Sequence, residues 1–243
     1  MKFRSLMLVV LCLTFVVSGA TAREVATATP IDPSRLSDDI GAPVPAIIGN
    51  LNPAAFLLSG WFTGQESYAV VFDPSQQVQC DNGFEALSVN MILGFDATQV
   101  PVTFDVYAGL GTAVWDAASG CFVPGDMECQ GETFTVTIDV AGNYNITIPL
   151  ACDCAFLYDP TGAPYKYYLS MTYPTAFSAQ VVSDGVPASC LTFNDFGAGY
   201  EDLNDYFGPG GFGNVNLSGE SVCCDTPVAT ENRTWGDIKS LFR

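Results

Sequence analysis

Between Thr133 and Leu150 apolar and polar residues alternate almost without interruption. Phe134, Val136, Ile138 and Val140 alternate with Thr133, Thr135, Thr137 and Asp139, and Tyr144, Ile146, Ile148 and Leu150 resume the pattern after Ala141-Gly142-Asn143. Period-2 spacing rich in β-branched residues predicts strands with one buried face, and the short Gly-Asn connection predicts a β-hairpin. On a helix the same spacing would scatter the apolar residues around the circumference.

The pattern recurs along the chain. Leu87, Val89, Met91, Leu93 and Phe95 form one alternating set, and Val102, Phe104, Val106 and Ala108 another. Ser67–Phe72 is a short strand stopped by Asp73-Pro74. Tyr167–Tyr173 ends at Pro174, and Phe177–Ser183 is expected to pair with it. Ser189–Phe193 and Gly213–Cys223 are the last strands, separated by the polar-aromatic stretch Asn194–Gly211, while Gly109–Gly131 reads as a long connection. Short strands with Gly, Pro and Asp turns predict an all-β fold. The expectation is an antiparallel two-sheet β-sandwich, jelly-roll-like, with an immunoglobulin-like arrangement as second choice.

The ends of the chain differ from this body. Met1–Ala22 has the form of a secretory signal peptide: Lys2 and Arg4, the apolar run Leu6–Val17, then Ala20-Thr21-Ala22 as cleavage site. That run is too short to span a bilayer, so no membrane span is expected. In Arg23–Ser59, Pro30, Pro33, Pro43, Pro45 and Pro53 predict a mostly irregular N-terminal arm, with Ala46–Leu58 able to lie against the domain. Gly60–Asp225 is the β domain and Thr226–Arg243 a linker with a short basic tail.

Export changes the reading of the cysteines. Cys80, Cys121, Cys129, Cys152, Cys154, Cys190, Cys223 and Cys224 form an even set once Cys12 leaves with the signal, which predicts disulfides. The chain has no His and no C-x-x-C, so a zinc site is disfavoured. Cys121 and Cys129 flank Pro124-Gly125, which suggests a local bridge. Adjacent Cys223 and Cys224 should reach different partners, with Cys190 a natural partner for one of them.

Charge then removes whole classes of function. The net charge is −18, and Lys166 is the only basic residue between Gly60 and Asp225. Such a surface repels phosphate backbones and anionic membranes, so nucleic acid is excluded as a partner. Without His there is no Ser-His-Asp or Cys-His apparatus. What remains for catalysis is a carboxylate pair of the glycoside-hydrolase kind, with Asp195, Glu201, Asp202 and Asp205 as raw material.

Those four acids are also the candidate calcium ligands, because Asn194–Asp205 offers carboxylate, amide and carbonyl oxygens on a Gly-containing loop. The competing reading is a solvated loop whose Phe196, Tyr200, Tyr206 and Phe207 cover an edge of the core. No other cofactor is expected. Sugar binding would need an exposed aromatic platform; Trp61, Trp115, Tyr165, Tyr167 and Tyr168 are at hand, and Trp115 is the most site-like because strand aromatics belong mostly to cores. Asn145, Asn216 and Asn232 each begin an N-glycosylation triplet.

The tail has its own pattern. Thr226–Thr230 reads as a Pro-containing linker. Thr234 can cap a two-turn helix with Asp237 three residues on, and Trp235, Ile238 and Leu241-Phe242 would share a face. Arg233, Lys239 and Arg243 make this end basic. Thr234–Arg243 resembles the endings of uncharacterised secreted β-sandwich proteins of environmental bacteria, where a comparable Trp-Gly-x-x-Lys-x-x-Tyr-Arg closes varied exported chains; Phe242 stands where Tyr is usual. Tyr200–Leu203, Gly213–Leu217 and Cys223-Cys224 are similar to members of that group as well. The resemblance implies export and a sorting or surface-anchoring partner read through Trp235, Lys239 and Arg243, and it brings no catalytic residues. The expected function is a secreted, non-enzymatic surface or extracellular-matrix module. A carbohydrate-binding module is the first alternative and a carboxylate glycoside hydrolase the second.

Overall fold

The computed structural model describes residues 26–31, 46–52, 57–207 and 213–224. The signal segment, the linker and tail with Trp235, Lys239 and Arg243, and Asn232 lie outside the described residues. In chain order the elements are β1 (Thr27–Ile31), β2 (Ala46–Asn50), β3 (Leu57–Phe72), α1 (Pro74–Gln77), β4 (Gly83–Phe95), β5 (Val102–Asp116) and β6 (Cys121–Gln130). There follow β7 (Phe134–Ile138), β8 (Gly142–Pro149), β9 (Ala155–Phe156), β10 (Tyr167–Ser183), β11 (Thr192–Asp195), β12 (Glu201–Asp202), α2 (Leu203–Phe207) and β13 (Leu217–Cys223). Among the described residues no helix is long and apolar enough to cross a membrane.

All described strand pairs are antiparallel, and the pairings divide into two sheets. One runs β2-β13-β4-β8, extended by β1 on the outside of β8. The other runs β3-β10-β5-β7, extended by β11 and β12 beyond β3 and by β6 along the far half of β5. These two four-stranded orders, with the chain passing repeatedly from one sheet to the other, are jelly-roll connectivity. The sheets are stitched at one corner, where Gln180 and Val181 of β10 pair with Gly94 and Leu93 of β4.

The most regular stretch of the sequence folds differently from its expectation. β7 pairs with β5, and β8 pairs with β4 and β1, so Phe134–Ile138 and Gly142–Pro149 belong to opposite sheets and form no hairpin. Alternation establishes that each strand has one buried face; it does not name the neighbour. Asp139–Ala141 arches between the sheets, with the Tyr144 hydroxyl donating to the Val140 carbonyl at 2.8 Å and the Val140 side chain left in water.

Three further expectations change. Tyr167–Tyr173 and Phe177–Ser183 do not pair with each other, being the two halves of β10, which both pair with β3 across register shifts around Pro174-Thr175. Bulges of this kind bend a strand without ending it. The supposed connection Gly109–Gly131 is mostly strand: the end of β5 and β6 form the true hairpin, Asp116↔Cys121 at its tip. Within the arm read as irregular, Thr27–Ile31 and Ala46–Asn50 are strands that lengthen a sheet.

The core lies between the sheets. Phe62, Tyr68, Leu93, Phe104, Leu169 and Met171 are closed from water there. Phe104 stacks on Phe177 with centroids 4.1 Å apart. Burying each such side chain contributes about 1.5–3 kcal/mol. Glu66 is also enclosed. Its Oε1 accepts from the Thr63 N–H at 3.1 Å, and its Oε2 accepts from the Tyr68 hydroxyl at 2.8 Å and the Asn194 amide at 3.2 Å. Burial, then the Glu66 charge, raises the Tyr68 hydroxyl well above its ordinary pKa, so it stays a donor.

The eight cysteines among the described residues are all paired, as Cys80–Cys223, Cys121–Cys190, Cys129–Cys152 and Cys154–Cys224. The local Cys121–Cys129 bridge is therefore not made. Cys121 opens β6 and Cys129 lies near its other end, so the strand holds them apart. Cys190 pairs with Cys121 and not with Cys223 or Cys224, whereas adjacent Cys223 and Cys224 do take different partners.

Candidate functional site

The site is built on the outer face of the β3-β10-β5 sheet, the face turned away from the main core. Alternation along β3 sends Tyr68, Val70 and Phe72 inward and Ala69 and Val71 outward. Ala69, Val71, Tyr168 and Phe193 form a second small cluster there, covered by Ala113, Phe122, Val123 and Tyr200. Gly111 allows the cover to fold down, since a Cβ at that position would come within 2.5 Å of the Tyr168 ring. The Tyr168 hydroxyl donates to the Gly125 carbonyl at 3.1 Å and fastens β6 in place.

The hairpin tip is locally determined. The Asp116 carboxylate accepts from the Ala118 N–H at 3.1 Å, the Ser119 N–H at 3.0 Å and the Ser119 hydroxyl at 2.7 Å. Those bonds, the Ser119 hydroxyl first, hold its carboxyl below the usual range. Gly120 completes the turn at φ 70°. The Cys121–Cys190 bridge then ties the tip to the connection between β10 and β11.

Neighbouring strand residues face opposite ways, so this tip separates two depressions. On one side is a groove of about 250 Å³ between Trp115, Phe122, Val71, Asp73 and Lys166. Trp115 is 59% exposed and meets Phe122 edge-on at 5.3 Å. The opposite wall is the Lys166–Asp73 ion pair, N···O 2.5 Å. The Asp73 carboxylate also accepts from the Ser75 N–H and hydroxyl, which fixes its orientation, and the Lys166 ammonium carries three N–H donors, of which this pair uses one.

On the other side is a wider cleft of about 390 Å³, between Asp116 and Ser119 at the tip and Tyr200, Glu201, Asp205 and Tyr206 facing them. Its inner wall includes Phe193, Val123 and Asp202. Burial pushes the Tyr200 hydroxyl up to about 12, so it remains protonated at neutral pH.

Glu201, Asp202 and Asp205 thus come together on one cleft, and Asp195 is not among its lining residues. Asp195 organises the turn after β11, accepting from the Gly197 N–H at 2.6 Å and the Gly199 N–H at 2.9 Å. Buried Asp202 accepts from the Cys190 N–H and, at 2.8 Å, from the Asn204 N–H. The ligand atoms of Cys121, Cys190 and Asp202 lie within 4.8 Å of one another, yet the two sulfurs are joined as a disulfide and only one carboxylate remains.

Trp115 is exposed as the sugar-platform reading requires, while Tyr167 is buried in the main core and Tyr168 in the outer-face cluster. Asn216 is 1% exposed, and its side-chain oxygen accepts from the Asn52 N–H, so that glycosylation triplet is closed in the folded chain. Asn145 is half-buried in β8 between β1 and β4. The sequence reading missed Asp73, Asp116, Ser119, Phe122 and Lys166. The signal for the tip was Asp116-x-x-Ser119-Gly120, a turn signature inside a segment mistaken for a loop.

No family model matches the chain, and no curated protein matches it in sequence. Among solved structures, it is similar to that of the cysteine protease and lectin-like domains of Cwp84, a surface layer associated protein of Clostridium difficile, with TM-score 0.42 and 14% identity. The match covers 73% of this chain and 36% of that one. A likeness of that size carries no argument about what this chain does.

Proposed function

We propose that this chain is a secreted surface or matrix binding module whose ligand is a saccharide, held without catalysis. The observation that carries the reading is the Trp115 groove. An indole face open to water, beside an ammonium and a carboxylate held in fixed positions, supplies what a pyranose ring asks for: a flat apolar surface for its C–H face and charged partners for its hydroxyls. Four disulfides support an oxidising, extracellular setting. Hydrogen bonds to Asp195 and Asp202 from backbone N–H groups favour a structural use of those two acids over acid–base chemistry.

A glycan array with the purified mature chain tests this. Binding that falls at least tenfold in Trp115→Ala, with the melting temperature unchanged, supports the reading. Absence of binding to any glycan overturns it. Release of reducing sugar, abolished by Glu201→Gln or Asp205→Asn, would overturn its non-catalytic half and restore the glycoside-hydrolase alternative.

A further inference from the structure

The wider cleft does not end at Tyr206. Tyr206 and Phe207 meet edge-on at 5.2 Å, Tyr206 lies 6.0 Å from Phe196, and half-buried Trp61 backs the row at 5.3 Å from Phe207 and 6.0 Å from Phe196. Phe196, Tyr206 and Phe207 are 49%, 61% and 39% exposed. The ridge is built for this exposure. Asp195 folds the turn that lifts Phe196 off the end of β11, and Asp202 accepts from the Asn204 N–H at the start of α2, which presents Tyr206 and Phe207 beside it. Solitary exposed aromatics need no explanation, but a contiguous row leading into a cleft does.

We propose that this ridge and the adjoining cleft form a second saccharide site, distinct from the Trp115 groove, and that the ligand is a neutral polysaccharide held at both sites at once. The inference rests on the saccharide reading above. Ring faces in a row suit successive sugar units, and the Glu201, Asp205 and Asp116 carboxylates along the cleft accept hydrogen bonds from hydroxyls. The same carboxylates, on a chain of net charge −18, repel uronate, sulfate and sialate groups as well as anionic bilayers. Lys166, the one cation among the described residues that line either depression, is already paired with Asp73. Two weak sites on one module gain avidity on a repeating polymer that a short oligosaccharide cannot supply.

The test is retention of the mature chain on cellulose, chitin, mannan and β-1,3-glucan, with polygalacturonate and alginate as acidic counterparts. The variants are Trp115→Ala, Phe196→Ser with Tyr206→Ser, the combination of all three, and Tyr206→Trp as a conservative control. Each is checked for an unchanged melting temperature. The expected result is retention on a neutral polymer, about tenfold weaker with either site altered and at least a hundredfold weaker with both, and kept by Tyr206→Trp. If the ridge variant binds like the parent while Trp115→Ala releases the polymer, the second site is wrong and the saccharide reading stands. If only the ridge variant loses binding, the ridge site stands and the Trp115 groove falls. Release from every polymer overturns both. Tighter binding to the acidic polymers overturns the charge class, and self-association abolished by the ridge substitutions would make the ridge an interface between copies instead.

Discussion

On the inner face of the β3-β10-β5 sheet, Tyr68, Val70 and Phe72 meet Leu169, Met171 and Tyr173, and opposite them stands the second sheet with Val89, Met91, Leu93, Ile146 and Ile148. On the outer face the buried apolar side chains form a much smaller cluster, Ala69, Val71, Tyr168 and Phe193, under one hairpin and one loop. The same strands serve both faces, so the difference comes from what covers them. A whole sheet covers the inner face. The outer cover is held by close packing at Gly111, one hydroxyl-to-carbonyl bond from Tyr168 and one disulfide, and it leaves two depressions rimmed by exposed aromatics. Stability rests mainly on the first face and the proposed recognition on the second, so each should be alterable without the other.

The largest effect should come from the inner face. Phe104→Ala removes a fully buried ring that stacks on Phe177, at a cost of about 3–5 kcal/mol in urea unfolding. Glycan binding measured on the remaining folded fraction should be unchanged. A loss of affinity at equal folded fraction would show that the two faces are coupled.

Next comes the bridge under the outer cover. Cys121→Ser with Cys190→Ser should cost about 2–4 kcal/mol, since the bridge closes a loop of sequence separation 69. Unlike Phe104→Ala it should also abolish saccharide binding, because the tip that separates the two depressions is no longer tied to the β10–β11 connection. Circular dichroism should still report the β-sandwich. A double-Ser variant that binds normally would mean the hairpin holds its own shape.

How much of this was legible in the sequence follows the same division. Strands of the inner face announced themselves, because burial on one side imposes period 2, as at Leu87–Phe95 and Val102–Ala108. Their partners did not. The regularity of Thr133–Leu150 could not tell a hairpin from an arch between sheets, since both put alternate residues inward. The hairpin that matters, Gly109–Gln130, was hidden because its alternation is weak: Gly109, Gly111, Pro124 and Gly125 fill positions where apolar residues would have marked a face. Trp115, Glu201, Asp202 and Asp205 were candidates by residue type alone, and three of these line one cleft while Trp115 stands across the tip from them. Asp73 and Lys166, far apart in sequence, could be joined only by the register of β3 with β10.

A smaller prediction probes how firmly the outer cover is held. Tyr168→Phe keeps the ring in the outer cluster and deletes its bond to the Gly125 carbonyl, so it should cost about 0.5–1.5 kcal/mol by urea unfolding. The hairpin amides near Gly125 should exchange faster with deuterium while those of β4 and β8 do not. Uniform acceleration would put Tyr168 in the global core.

The smallest expected effect carries a pH signature. Burial alone would push the Asp73 carboxyl up, but the hydrogen bond from Lys166, those from Ser75 and the Lys166 charge outweigh it and hold the group below its ordinary value. A carboxylate depressed in the folded state stabilises fully above its unfolded pKa of about 3.9, and that contribution is lost as pH falls through the folded value. The pair is partly open to water, so its worth should stay below about 1 kcal/mol. Asp96, Asp116 and Asp159 are depressed by their own turn hydrogen bonds and titrate with the same sign, so the acid limb of the parent protein alone would not isolate Asp73. The difference does. The gap in melting temperature between the parent and Asp73→Asn should be constant well above the unfolded pKa of about 3.9, shrink as pH falls below it, and close once pH is below the depressed folded-state value. A gap that persists in acid would mean that Asp73 acts through the shape of the groove and not through its charge.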